Sequence, residues 1–106
     1  MFATVRRYEG VDVSRTDELT EKVNDSLMPR LSKLPGFGGY YLIEARDGVV
    51  TSLSLFETAA QADESSNLVR DWVQEAELEK ALPNAPKITT GEVIAHHTPN
   101  RAMAAV

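Results

Sequence analysis

The segment Leu34-Pro35-Gly36-Phe37-Gly38-Gly39-Tyr40-Tyr41-Leu42-Ile43-Glu44, running on through Asp47-Gly48 to Leu53-Ser54-Leu55-Phe56, decides how this chain folds. Proline and glycine stop whatever precedes Phe37. Two short β-prone runs then flank an Asp-Gly pair, the dipeptide a tight primed turn favours because both loop residues need positive φ. The segment reads as a β-hairpin. With Asp47 and Gly48 as the whole loop, Leu42 falls opposite Leu53 and Tyr40 opposite Leu55, so Tyr40, Leu42, Leu53 and Leu55 share the core face. The other face then carries Tyr41, Ile43, Val50, Ser52, Ser54 and Phe56, too apolar for a solvated surface and too polar for a dry core. A second subunit is the expected cover.

On the N-terminal side, Phe2 to Glu9 alternates as a strand, with Phe2, Thr4, Arg6 and Tyr8 on one face. A helix follows, N-capped by Ser14 or Thr16 and carrying Asp17 and Glu18 in its first turn. Its buried stripe is Leu19, Val23, Leu27, Leu31 and Leu34. Pro29 lies inside that stripe and lacks the N–H that would bond the carbonyl of Asp25, which predicts a kink or a restart as a short final segment. On the C-terminal side, Thr58 and Gln61 form a capping box that opens a second helix. Its stripe is Ala62, Ser66, Val69, Val73 and Ala76, with Ser65, Leu68 and Trp72 beside it. The acidic run Glu75 to Lys80 reads as a solvated helix end or an extra turn, and Pro83 as its stop. Lys87 to His96 is rich in β-branched residues and makes a last strand, with Gly91 suggesting a bulge or a close backbone contact. Residues 98–106 read as a frayed tail, or an arm on a partner, outside the domain of residues 1–97.

The resulting order, strand-helix-strand-strand-helix-strand, is the split βαβ arrangement of the ferredoxin-like α+β fold, an antiparallel sheet with both helices on one face. At 106 residues there is room for one domain only. The net charge of -5 and the lack of a Lys/Arg cluster argue against nucleic acid and anionic membrane as partners. With no cysteine, disulfides, thiolate metal sites and thiol nucleophiles are excluded. The N-terminal charges follow a very short apolar run, the reverse of a signal peptide, and no apolar run is long enough for a membrane span, so the expectation is a cytoplasmic protein.

Several features taken in order resemble the antibiotic biosynthesis monooxygenase-like members of the dimeric α/β-barrel superfamily. They are Pro29 to Phe37 at the end of the first helix, the pair Tyr40-Tyr41, the strand ending Phe56-Glu57, the helix bearing Ser65-Ser66 and Trp72, and the late Gly91-Glu92-Val93. The resemblance implies two ferredoxin-like subunits packed sheet to sheet as a homodimeric barrel, with a pocket in each between helices and sheet. It further implies oxygenation of a small apolar aromatic phenol or quinol without a cofactor or metal, a non-catalytic binding or structural module, or haem cleavage. Haem-degrading relatives carry a histidine about two and a half turns after the helix tryptophan. Here the region around Leu82 has none, which removes the iron ligand.

Five residues stand out as candidates. Arg6, on the inward face of the first strand, has to be paired, with Glu44 or Glu92 as possible partners, or has to anchor a substrate carboxylate or enolate. His96 titrates near neutrality and can take a proton, or is simply an exposed imidazole at the strand end. His97 points the opposite way, so the two histidines do not form a metal pair. Trp72 either stacks on a planar ligand or fills the core, and Tyr40 either bonds a substrate hydroxyl or packs beside Leu55. Phe37 joins them as a candidate substrate-lining aromatic.

Overall fold

The computed structural model describes residues 1–97; the expected tail lies outside the described residues. Strands β1 (Phe2–Tyr8), β2 (Phe37–Glu44), β3 (Val50–Phe56) and β4 (Lys87–Glu92) form one antiparallel sheet in the order β2-β3-β1-β4. Between β1 and β2 run α1 (Thr16–Lys22), a π-helical turn (Val23–Leu27) and α2 (Met28–Ser32), while α3 (Ala59–Glu75) joins β3 to β4. The architecture is the expected α+β, ferredoxin-like one. The core lies between the helices and one sheet face, where Leu19, Val23, Leu27, Leu31, Val69 and Trp72 meet Tyr8, Val50 and Phe56.

The hairpin differs from expectation by one residue of register, which inverts every side chain of β3. Leu42 pairs with Ser52 and Tyr40 with Ser54, so Val50, Ser52, Ser54 and Phe56 face the core and Leu53 and Leu55 face away. The cause is the loop. The Ala45 N–H bonds the Val49 carbonyl at 2.8 Å, leaving Arg46, Asp47 and Gly48 as a three-residue connection. Asp47 (φ 61) and Gly48 (φ 73) are both left-handed. The Val11 N–H donates to the Gly48 carbonyl at 2.9 Å and ties this loop to the end of β1. The uncovered face therefore carries Val5, Tyr41, Ile43, Leu53 and Leu55, with Tyr41 and Ile43 at least half exposed.

Pro29 neither ends nor sharply breaks the first helix. The turn ahead of it widens to π geometry, with the Met28 N–H bonding Val23 O, and Pro29 sits in the first turn of α2, where a missing N–H is tolerated. At the helix start, Asp12 replaces the expected Ser14 or Thr16 as the capping side chain. It accepts from the Ser14 N–H at 3.0 Å and caps a 3₁₀ turn (Val13–Arg15) that leads into α1. The capping box of α3 is present as predicted.

The end of α3 is a correction. The helix stops at Glu75, well before Pro83, in a Schellman motif: Leu78 N–H bonds Val73 O at 3.0 Å and Glu77 N–H bonds Gln74 O at 3.1 Å. Glu77 takes the left-handed position (φ 57) that glycine usually fills. Beyond it the charged residues Glu77, Glu79 and Lys80 are solvated as expected, while Leu78, Ala81 and Leu82 are buried in a further turn, with the Leu82 N–H bonding Leu78 O at 2.8 Å. Gly91 does not form a bulge; β1 and β4 pair without interruption, and the irregularity falls between Phe37 and Gly39 instead. β4 ends at Glu92 rather than His96, with one further bond from Val93 N–H to Met1 O.

Candidate functional site

The register that turns Ser52 and Ser54 inward makes room for Arg6. From the central strand β1 its side chain lies among small residues, 1 % exposed, and donates to Ser54 Oγ at 3.2 Å and to Ser66 Oγ on α3 at 2.7 Å. Neither Glu44 nor Glu92 pairs with it; both are exposed, and Arg6 takes part in none of the ion pairs among the described residues. Burial lowers its pKa from the ordinary arginine value, a shift opposed by the nearby phenols of Tyr8 and Tyr40. A guanidinium starts so high that it stays charged. The core thus holds a cation whose bonding partners are neutral hydroxyls, the arrangement that most favours an incoming anion.

Arg6 forms part of the wall of a cavity of about 400 Å³ between β1, α3, β4 and the segment around Leu82 to Pro86. Tyr8, Ser66, Val69, Val73 and Leu82 line it with Arg6. Its size is that of a small-molecule site, mostly apolar with a few converging polar groups. The outer wall is tied down: Asn84 Nδ2 donates to the Glu9 carbonyl at 3.0 Å, and Asp12 N–H to the Ala81 carbonyl at 3.1 Å. Burial raises the pKa of Tyr8, partly offset by Arg6, so Tyr8 is a neutral phenol able to donate a hydrogen bond beside the cation.

A second cavity of about 220 Å³ opens on the other side of the core, between α1, the π-helical turn and β2, lined by Leu19, Val23, Tyr40, Leu42 and Glu44 among others. Burial pushes the Tyr40 phenol up to about 12, a shift that nearby Ser52 partly opposes. Between the two cavities lies a void of about 20 Å³.

The five sequence-predicted residues are therefore spread out. Arg6 alone lines the large cavity, and Tyr40 lines the smaller one. Trp72 is 2 % exposed, touches only the central void, and has its indole N–H bonded to Ser26 Oγ at 3.0 Å. Phe37 packs edge-on against Phe56, centroids 5.7 Å apart. His96 is exposed beyond β4, and neither it nor Phe37 lines any of the three spaces. Sequence reasoning missed Tyr8 and Ser66 as companions of Arg6. Tyr8 was findable, two residues along the same strand face; Ser66 depends on how far α3 is rotated, and the sequence does not carry that.

Among the described residues no cluster of metal-ligating side chains occurs, and no helix is long and apolar enough to cross a membrane. No protein-family model matches the sequence, and no curated protein does. Solved structures do match. A Nitrosomonas europaea protein of unknown function superposes with TM-score 0.74 at 17% identity, over 92% of this chain and 93% of that one. A Streptomyces coelicolor monooxygenase, solved in complex with nanaomycin D, gives 0.73 at 16%, over 93% and 92%. A Bordetella bronchiseptica protein assigned as an antibiotic biosynthesis monooxygenase gives 0.70 at 13%, over 89% and 97%. With its hairpin, helices and cavities in this arrangement, the chain has the fold of the antibiotic biosynthesis monooxygenases.

Proposed function

We propose that the chain is a cofactor-independent monooxygenase that binds a small aromatic phenol or quinol, as its anion, in the 400 Å³ cavity. The observation that carries this reading is Arg6, a buried cation held by two neutral hydroxyls in the wall of a cavity that also has Val69, Val73 and Leu82 on its wall, with Asn67, Arg70, Gln74, Glu79 and Asn84 as its other polar lining. Direct reaction with dioxygen needs an electron-rich, deprotonated ring. A desolvated guanidinium lowers the substrate's pKa by stabilising its oxyanion, and the neutral Tyr8 phenol adds a hydrogen bond. Dioxygen then takes four electrons from the ring. One oxygen atom stays on the carbon that loses its hydrogen, giving the quinone; the other leaves as water with that hydrogen and the phenolic one. No external reductant enters the balance. The proton acceptor is either a water at the cavity mouth or His96, which lines none of the three spaces within one chain and would be brought to the site by a second subunit. That a fold neighbour is a monooxygenase crystallised with nanaomycin D supports the aromatic substrate class.

The same reading includes a homodimer formed through the uncovered sheet face, where Tyr41, Ile43, Leu53 and Leu55 would otherwise meet water. An interface on the order of 1,600 Å² is expected, and light scattering should give twice the chain mass of 11.7 kDa.

The deciding experiment follows oxygen uptake by the purified protein against a panel of phenols and quinols, alongside Arg6→Met and His96→Ala. Uptake that Arg6→Met shifts to higher pH supports the proposal, and the response of His96→Ala separates imidazole from water as the proton acceptor. If no phenol or quinol drives uptake but the panel still binds, the chain is a small-molecule-binding module of the same fold.

A further inference from the structure

The three spaces in the core lie in a row. The 20 Å³ void shares Leu19, Val23, Tyr40, Leu42 and Val50 with the 220 Å³ cavity, and Tyr8, Val69, Val73 and Leu82 with the 400 Å³ cavity. It is the apolar partition between them. Apart from its two tyrosines, every residue on its wall is leucine, valine or tryptophan. A water needs about 10–15 Å³ of such space and two to four polar partners; the two tyrosine hydroxyls are the bare minimum, so the space has the volume for one small molecule and its leucine and valine walls favour an apolar one.

We propose that this void is a binding site for dioxygen, reached from the 220 Å³ cavity and opening onto the substrate in the 400 Å³ cavity. The inference rests on the monooxygenase reading for its purpose, though not for its observations. An aromatic substrate seated against Arg6 occupies the larger cavity, so the second reactant needs another approach. The 220 Å³ cavity supplies it, because its rim residues Thr20, Asn24 and Glu44 are solvent-exposed while its floor, Leu19, Val23 and Val50, is buried and shared with the void. A polar entrance narrowing to an apolar neck passes an uncharged diatomic gas and holds back ions and the bulkier organic substrate. Trp72, the chain's only tryptophan, lies on the wall of this neck and is buried from solvent, which makes it a built-in reporter.

The test uses xenon as an apolar probe of similar size. Titrating the full chain with dissolved xenon while recording valine and leucine methyl resonances should give saturable shifts at Val23, Val50, Val69 and Val73. Val50→Ile adds one methyl group to the neck without touching the 400 Å³ wall, and Val23→Ile is the alternative should that variant fold poorly. Either should weaken xenon binding about fourfold, the equivalent of one methylene of contact. Dioxygen quenching of Trp72 fluorescence should fall in the same variant, while acrylamide quenching stays weak in both proteins. With a turning-over substrate, the KM for dioxygen should rise by a similar factor and the KM for the organic substrate should hold. Xenon shifts that are absent, or unchanged by both variants, overturn the site even if oxygen uptake is observed. Xenon binding at the neck in a protein that oxidises no phenol or quinol would instead leave the gas site standing and remove the monooxygenase reading.

Discussion

Replacing Arg6 by methionine separates a ligand-binding cation from a structural one, because the two roles predict opposite balances of stability and affinity. In the free protein the guanidinium gains two charge-assisted bonds, at 3.2 Å to Ser54 and 2.7 Å to Ser66. Such bonds contribute about 1.5–3 kcal/mol each. Against them stands the desolvation of a charge that is 1 % exposed with no carboxylate partner, also several kcal/mol. The two nearly cancel. Methionine keeps an unbranched apolar side chain in the same space, and Ser66 retains its bond to the Ala62 carbonyl, leaving Ser54 as the main orphan. The expected change in unfolding free energy is therefore under about 2 kcal/mol, below the 3–5 kcal/mol that follows the breaking of a buried ion pair. Affinity for an anionic aromatic should change far more. Losing a desolvated cation about 4 Å from an oxyanion, at an effective dielectric of about 20, forfeits about 4 kcal/mol, or up to three pKa units in the bound phenol. Urea melts give the stability, and absorbance titration of a chromophoric nitrophenol across pH gives affinity and bound pKa together. A variant destabilised by 4 kcal/mol or more that binds the nitrophenolate as well as the parent would refute the reasoning and make Arg6 a structural residue.

Three other outcomes follow from the same structure. Tyr40, whose folded pKa is raised to about 12, keeps its full contribution to stability below pH 10 and loses it as the pH rises from there through 12. Thermal melts should drop over that window by roughly 2–3 kcal/mol, and Tyr40→Phe should flatten much of the drop; an unchanged profile would place the phenol in water. Glu77→Gly should stabilise the fold by about 1 kcal/mol, because a left-handed backbone burdens any residue with a Cβ; a loss of stability in urea would mean that the carboxylate does something the backbone geometry does not reveal. Leu53→Lys, on the uncovered face, should halve the mass seen by light scattering while circular dichroism stays native, whereas a persistent dimer would place the interface elsewhere.

How much of this was legible in the sequence depends on the range of the physics involved. Local signals carried element order and type: the Pro35-Gly36 pair ahead of Phe37, the Asp47-Gly48 pair, the Thr58-Gln61 capping box and the spacing of Leu19, Val23, Leu27 and Leu31. Alternation along β1 likewise put Thr4, Arg6 and Tyr8 on one buried face. The fold is the consequence of those signals because hydrophobic period and backbone freedom are properties of consecutive residues. Tertiary structure decided the rest. The hairpin loop has three residues, the last tied through its carbonyl to Val11, and that one residue of register chose between leucines and serines as the companions of Arg6. The rotation of α3 brought Ser66 to the guanidinium and took Trp72 to Ser26, and a left-handed Glu77 folded Leu78 to Leu82 back into the core, with Leu82 in the cavity wall. A cavity is bounded by residues from β1, α3 and the approach to β4 that lie up to eighty positions apart, and no periodicity in the sequence encodes where their side chains converge.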